Sequence, residues 1–140
     1  MKIKINTFNK AQAEQMLECE KLPSKEQAWA CRFAVSDLAQ NLRKKAGLFD
    51  KDMVKIFRSG ELNIKEKDFR KAVGKSRVTC DTLTSPIPMT VDEIRVDPEI
   101  STETKLMLIK EKALADKEVE SCKIGVDALA ESIERKADSK

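Results

Sequence analysis

The chain has 140 residues and a net charge of +3, is 41% apolar and 36% charged, and contains no histidine and no tyrosine. That length fits one compact domain, or a small domain with a helical extension, and no stretch approaches the ~20 apolar residues of a membrane-spanning helix. The missing imidazole excludes Ser-His and Cys-His nucleophile activation and the usual mixed zinc sites. With four Gly, four Pro and 4% aromatics, the composition points to a mainly α protein whose core is aliphatic and rich in Ala and Met.

At the start of the chain, Lys2, Ile3, Lys4 and Ile5 alternate with period two, which predicts one short N-terminal strand with Ile3 and Ile5 on one face. Thr7 or Asn9 is expected to cap a first helix running to about Lys21, with Ala13, Met16 and Leu17 as its buried stripe. Leu22 before Pro23 ends it, because proline disfavours helical geometry in the residue before it. Ser24 with Gln27 three residues on is a capping-box pattern. The helix it opens carries Ala28, Cys31, Val35, Leu38 and Leu42 at spacings of three and four, the apolar arc of a core helix, and stops at Gly47.

Asp50 is placed to cap a short helix with Met53, Val54, Ile56 and Phe57 inward. Asn63 with Glu66 repeats the start signal for another, burying Ile64, Phe69, Ala72 and Val73 and ending at Gly74. Residues 77–89 lose the helical period and read as a linker, in which Val78, Cys80 and Thr82 are extended and pair with Ile3 and Ile5. Thr90 with Glu93 caps a short helix over 91–96. Asp97 followed by Pro98 then starts the last element, one helix from about Ile100 to Lys136.

The architecture expected is therefore a small helical bundle body over residues 1–89 and a long C-terminal helix within 90–140, used for packing or self-association. Leu108, Ala115, Val119, Cys122, Val126, Leu129 and Ile133 form a narrow heptad-like seam on that helix, interrupted by Lys112. A single helix of this length is longer than a small domain is wide. Its seam must meet a helix from outside the body, making a homodimer the expected assembly, or the helix must fold back at Gly125.

Cysteines 19, 31, 80 and 122 are widely spaced, with no CxxC pair. Cys31 and Cys122 fall on apolar helix faces, where a free thiol acts as a small hydrophobe, and this favours a reducing, cytoplasmic setting.

Charge supplies the functional lead. Residues 43–77 hold twelve Lys or Arg against five Asp or Glu, whereas residues 90–140 net −4. Lys51, Lys55, Arg58, Lys65, Lys67, Arg70, Lys71, Lys75 and Arg77 lie on two short helices joined by a Gly-containing turn, an arrangement suited to contacting the phosphates of a nucleic acid. A helix-turn-helix register with Gly47 as the turn glycine fits in part only, since Arg43 stands where a small residue is wanted. Gly74-Lys75-Ser76 is only the tail of a phosphate loop, and the carboxylate pairs at 50/52 and 92/93 sit in first turns, where they complement the helix dipole. No motif implies a cofactor or a metal. The function expected is that of a small non-enzymatic nucleic-acid-binding or regulatory protein. The alternative is an interaction module (adaptor, chaperone or inhibitor) gripping an acidic partner surface or a partner helix.

Overall fold

A computed structural model of the chain describes residues 1–47, 60–83 and 90–137. In chain order the elements are β1 (Lys2–Lys4), α1 (Ile5–Cys19), α2 (Lys25–Lys45), β2 (Glu61–Asn63), α3 (Glu66–Asp81), α4 (Val91–Val96) and α5 (Thr102–Lys136). The fold is mainly α, with a long C-terminal helix and a two-stranded antiparallel ribbon at the N-terminus.

The alternation of β1 does bury Ile3, but its partner is β2. Ile3 lies opposite Leu62 and both are buried, while Lys2, Lys4, Glu61 and Asn63 point to solvent. Ile5, expected on the same strand face, is instead the first residue of α1. The extended segment expected at Val78, Cys80 and Thr82 is not formed: α3 runs on through Gly74 to Asp81, and Thr82 closes it. Gly74 alone, without a Pro or a left-handed turn after it, does not end a helix whose buried stripe continues through Ser76 and Cys80.

Helix α1 buries Ile5, Phe8, Ala11 and Cys19; of the expected stripe, Met16 is half-buried against the core, whereas Ala13 is exposed and Leu17 is 68% exposed. The helix begins at Ile5, with no side-chain cap, ahead of the expected Thr7 and Asn9, and Ile5 and Phe8 belong to the face turned to the core.

Helix α2 is as the sequence reads. Ser24 Oγ accepts from the Gln27 backbone N–H at 3.1 Å, and Gly47 at φ +80° takes the left-handed C-terminal position that suits glycine. Its apolar arc makes α2 the central element, packed against α1, α3 and α5. Much of the arc is small: Ala28, Ala30, Ala34 and Ala39 are all buried, which lets neighbouring helices approach closely. Where α3 crosses, buried Asn41 donates to Ser76 Oγ at 2.9 Å and to Asp37 Oδ2 at 3.3 Å, so the polar groups at that crossing are satisfied.

Helix α5 is capped by Ser101, whose Oγ accepts from the Thr104 backbone N–H at 3.2 Å, four residues beyond the Asp97-Pro98 start expected. It passes Gly125 without folding back. From Ser121 to Ile133 its inner side, including Cys122, Gly125, Val126 and Leu129, is part of the body's core; no residue of α5 before Ser121 is buried.

The cysteine reading is corrected. All four are paired, Cys19 with Cys31 and Cys80 with Cys122, with Cα atoms 5.5 and 5.7 Å apart, and no free thiol remains. The residues are widely separated in sequence yet meet where α1 returns along α2 and where the end of α3 reaches α5. Spacing alone cannot reveal such long-range pairs. With the free thiols goes the argument for a reducing compartment.

Candidate binding surfaces

Of the nine basic residues singled out, Lys51, Lys55 and Arg58, together with the helix expected to carry them, lie outside the described residues. The other six sit on or beside α3. Lys65 is its N-cap residue and is exposed. Lys67, Lys71 and Lys75, spaced by four, form a row on the side of the helix away from buried Phe69, Ala72, Ser76 and Cys80. The row spans about 12 Å at the rise of an α-helix. These three lysines are exposed and make no ion pair among the described residues.

The two arginines differ from the lysines. Arg70 is held by Glu66 one turn earlier, at 2.9 Å. Arg77 pairs with Asp127 of α5, and hydrogen bonding to that carboxylate, followed by its charge, raises the guanidinium pKa further above its ordinary value. A second ion pair, Lys123 to Asp81 at 2.9 Å, lies on the same joint. Arg77 therefore belongs to the α3–α5 joint. Its acidic partner is 50 residues away, so no local pattern pointed to it.

Arg43, at the start of the basic segment, is similarly engaged. Its guanidinium lies 5.0 Å from the centroid of the Phe8 ring and donates to Asn9 Oδ1 at 3.0 Å and Gln12 Oε1 at 2.6 Å, tying α2 to α1.

The seam of α5 divides in two. Cys122, Val126, Leu129 and Ile133 are buried inside the chain, and Cys122 is disulfide-bonded, so these four positions are closed to a second copy. Leu108, Ala115 and Val119 are half-buried. They lie on the stretch of α5 before Ser121, an arm of about 28 Å that extends past the N-terminal end of α2, where Gln27 Nε2 donates to Ser121 Oγ at 3.3 Å. Helix α4 lies on this arm, with Ile94 buried and Lys105 Nζ donating to the Arg95 carbonyl at 2.9 Å.

Away from the seam the arm exposes large apolar side chains that the heptad reading passed over: Leu106 at 65%, Met107 at 63% and Leu114 at 52%. Spacings of seven and eight between them gave the only signal in the sequence. Below the arm, Ile124 and Ala128 face Leu17 and Leu22 across a groove of about 600 Å³, with Glu14, Gln15 and Glu18 also lining it. Glu14 and Glu18 are taken up by Lys136 and Lys21, each at 3.0 Å.

Among the described residues there is no group of three side chains able to hold a metal ion, and no helix is long and apolar enough to cross a membrane. In comparisons with known proteins, the chain matches no family model, no curated protein and no solved structure.

Proposed function

We propose that this is a non-enzymatic binding protein that contacts a polyanion, nucleic-acid phosphates in the first instance, through the solvent face of α3. The observation that carries the reading is the row of Lys67, Lys71 and Lys75, exposed and without carboxylate partners among the described residues. Ammonium groups so placed displace condensed counterions from a phosphate backbone, giving affinity that depends on salt and hardly on sequence. Binding of the full chain to a generic DNA duplex, titrated from low to physiological salt, tests it. Affinity that falls steeply with salt supports the reading, and absence of binding at low salt removes it.

A second reading, a protein-interaction module, is favoured by a separate observation: Leu106, Met107 and Leu114 are exposed together on an arm outside the body. A homodimer made through the C-terminal helix is placed on this arm in the second reading, since the buried residues of the lower seam are occupied internally. Sedimentation equilibrium of the wild type and of a Leu106→Glu, Leu114→Glu variant tests it: a dimer lost in the variant supports the reading, and a monomeric wild type at all concentrations removes the homodimer.

A further inference from the structure

We infer that the native chain is an oxidised one, made and used in an oxidising compartment, and that its four cysteines are the substrates of a disulfide donor. Three observations converge on this. The pairing is complete, since the four cysteines of the sequence form two bonds. Four thiols scattered over a helical core as small hydrophobes have no reason to meet two by two. The Cα separations of 5.5 and 5.7 Å are those a disulfide requires.

The bridges also tie the ends of α1 and α3 to neighbouring helices. Cys80–Cys122 joins the end of α3 to the point at which α5 leaves the body, and the charged contacts of that joint, Arg77 with Asp127 and Lys123 with Asp81, are partly solvent-exposed ion pairs of small individual worth. Cys19–Cys31 spans the turn at Pro23, beside exposed Leu17. The core these bridges close sets small side chains, Ala30, Ala34 and Ala39, and Gly125 beside Phe8, Leu38, Leu42, Phe69 and Leu129, so the bridged helices approach closely. Covalent ties of this kind persist in exported domains and are reduced in the cytosol.

All four cysteines are buried, so the bonds must form as the core closes, and a reductant reaches them only when the fold opens. For each bond, two thiols give up two electrons and two protons to the disulfide of a thiol–disulfide oxidoreductase, which leaves as a dithiol. The inference is independent of the polyanion reading, because the charge of the α3 lysines does not depend on the redox state of the cysteines.

The test uses the protein from the cells that make it, with thiols alkylated at the moment of lysis and digestion performed without reduction. Peptides linked 19 to 31 and 80 to 122, no alkylated cysteine, and recovery outside the cytosolic fraction are expected. Alkylation at these positions, any other pairing, or recovery in the cytosol overturns the inference. A second measurement needs no variant: the reduced wild type should be cleaved by protease more than about tenfold faster than the oxidised protein. Equal rates would also overturn it.

Discussion

Gly125 of α5 and Cys31 of α2 approach so closely that a Cβ added at the glycine would lie 2.8 Å from the Cys31 carbonyl oxygen, 3.2 Å from its Sγ and 3.3 Å from the Ala34 Cβ. The nearest of these atoms is backbone and cannot rotate away, so the two helices pack at this distance only because position 125 has no side chain. Gly125→Ala should cost about 1–3 kcal/mol by overpacking. Urea unfolding, read as the midpoint at constant slope, checks this. Gly74 is the internal control, because an added Cβ there meets nothing within 4 Å. Gly74→Ala should gain about 0.5–1 kcal/mol from helix propensity. If the two alanines behaved alike, the close approach would have no energetic meaning.

The start of α2 depends on one hydroxyl. Ser24 Oγ accepts from the Gln27 N–H and donates to Gln27 Oε1 at 3.0 Å, and the same amide goes on to Ser121. Ser24→Ala should lower stability by about 1 kcal/mol and Ser24→Gly by only a few tenths. Thermal unfolding of the pair distinguishes loss of the cap from loss of a generic contact, which would affect both variants alike.

Removing the two bridges should have unequal effects. In the chain-entropy account a crosslink is worth more the longer the loop it closes, and the sequence separations are 42 for Cys80–Cys122 and 12 for Cys19–Cys31. Paired Cys→Ala substitutions should cost about 4 kcal/mol at the first bridge and about 3 kcal/mol at the second. The order of the two unfolding midpoints is the result to be measured, and a reversed order would place strain or local packing above loop entropy.

For polyanion binding, the charge reversal Lys67→Glu, Lys71→Glu, Lys75→Glu should abolish duplex affinity. Neutralising one lysine at a time should reduce the slope of log K against log salt by about 1 per residue. Arg77→Gln should leave that slope unchanged, because the guanidinium is already committed to Asp127. Fluorescence anisotropy across a salt series reads all of these, and an Arg77→Gln effect as large as the lysine effects would contradict the division drawn between them.

Elements announced by local chemistry were legible in the sequence. Ser24 with Gln27, Thr90 with Glu93 and the positive φ of Gly47 all stand where capping rules put them. The features that went unread are set by distant partners. Ile3 pairs with Leu62 and not with the segment around Cys80, because a three-residue strand carries no mark of its partner. Leu108 and Val126 share one seam, but only the second is fully buried, since full coverage depends on where α2 begins. The lysine row was legible as a charge excess. Its separation from Arg77 and Arg43 was not, because the residues that engage those two arginines lie on other helices.

The contacts of Gln27 with Ser121 and of Cys31 with Gly125 advance one turn in the same direction on both helices, so α2 and α5 run parallel. Helices α1 and α3 run the other way, since Arg43 meets Asn9 and Gln12 while Cys31 meets Cys19, and Asn41 meets Ser76 while Cys122 meets Cys80, so the partially negative ends of α2 and α5 lie at the same end of the body as the partially positive starts of α1 and α3. That end carries Arg43, Lys44, Lys45, Arg135 and Lys136 in the final turns. Lys44 and Lys45, at the start of the basic segment, thus complement the local negative end of α2, a role they keep even if the protein never meets an anion.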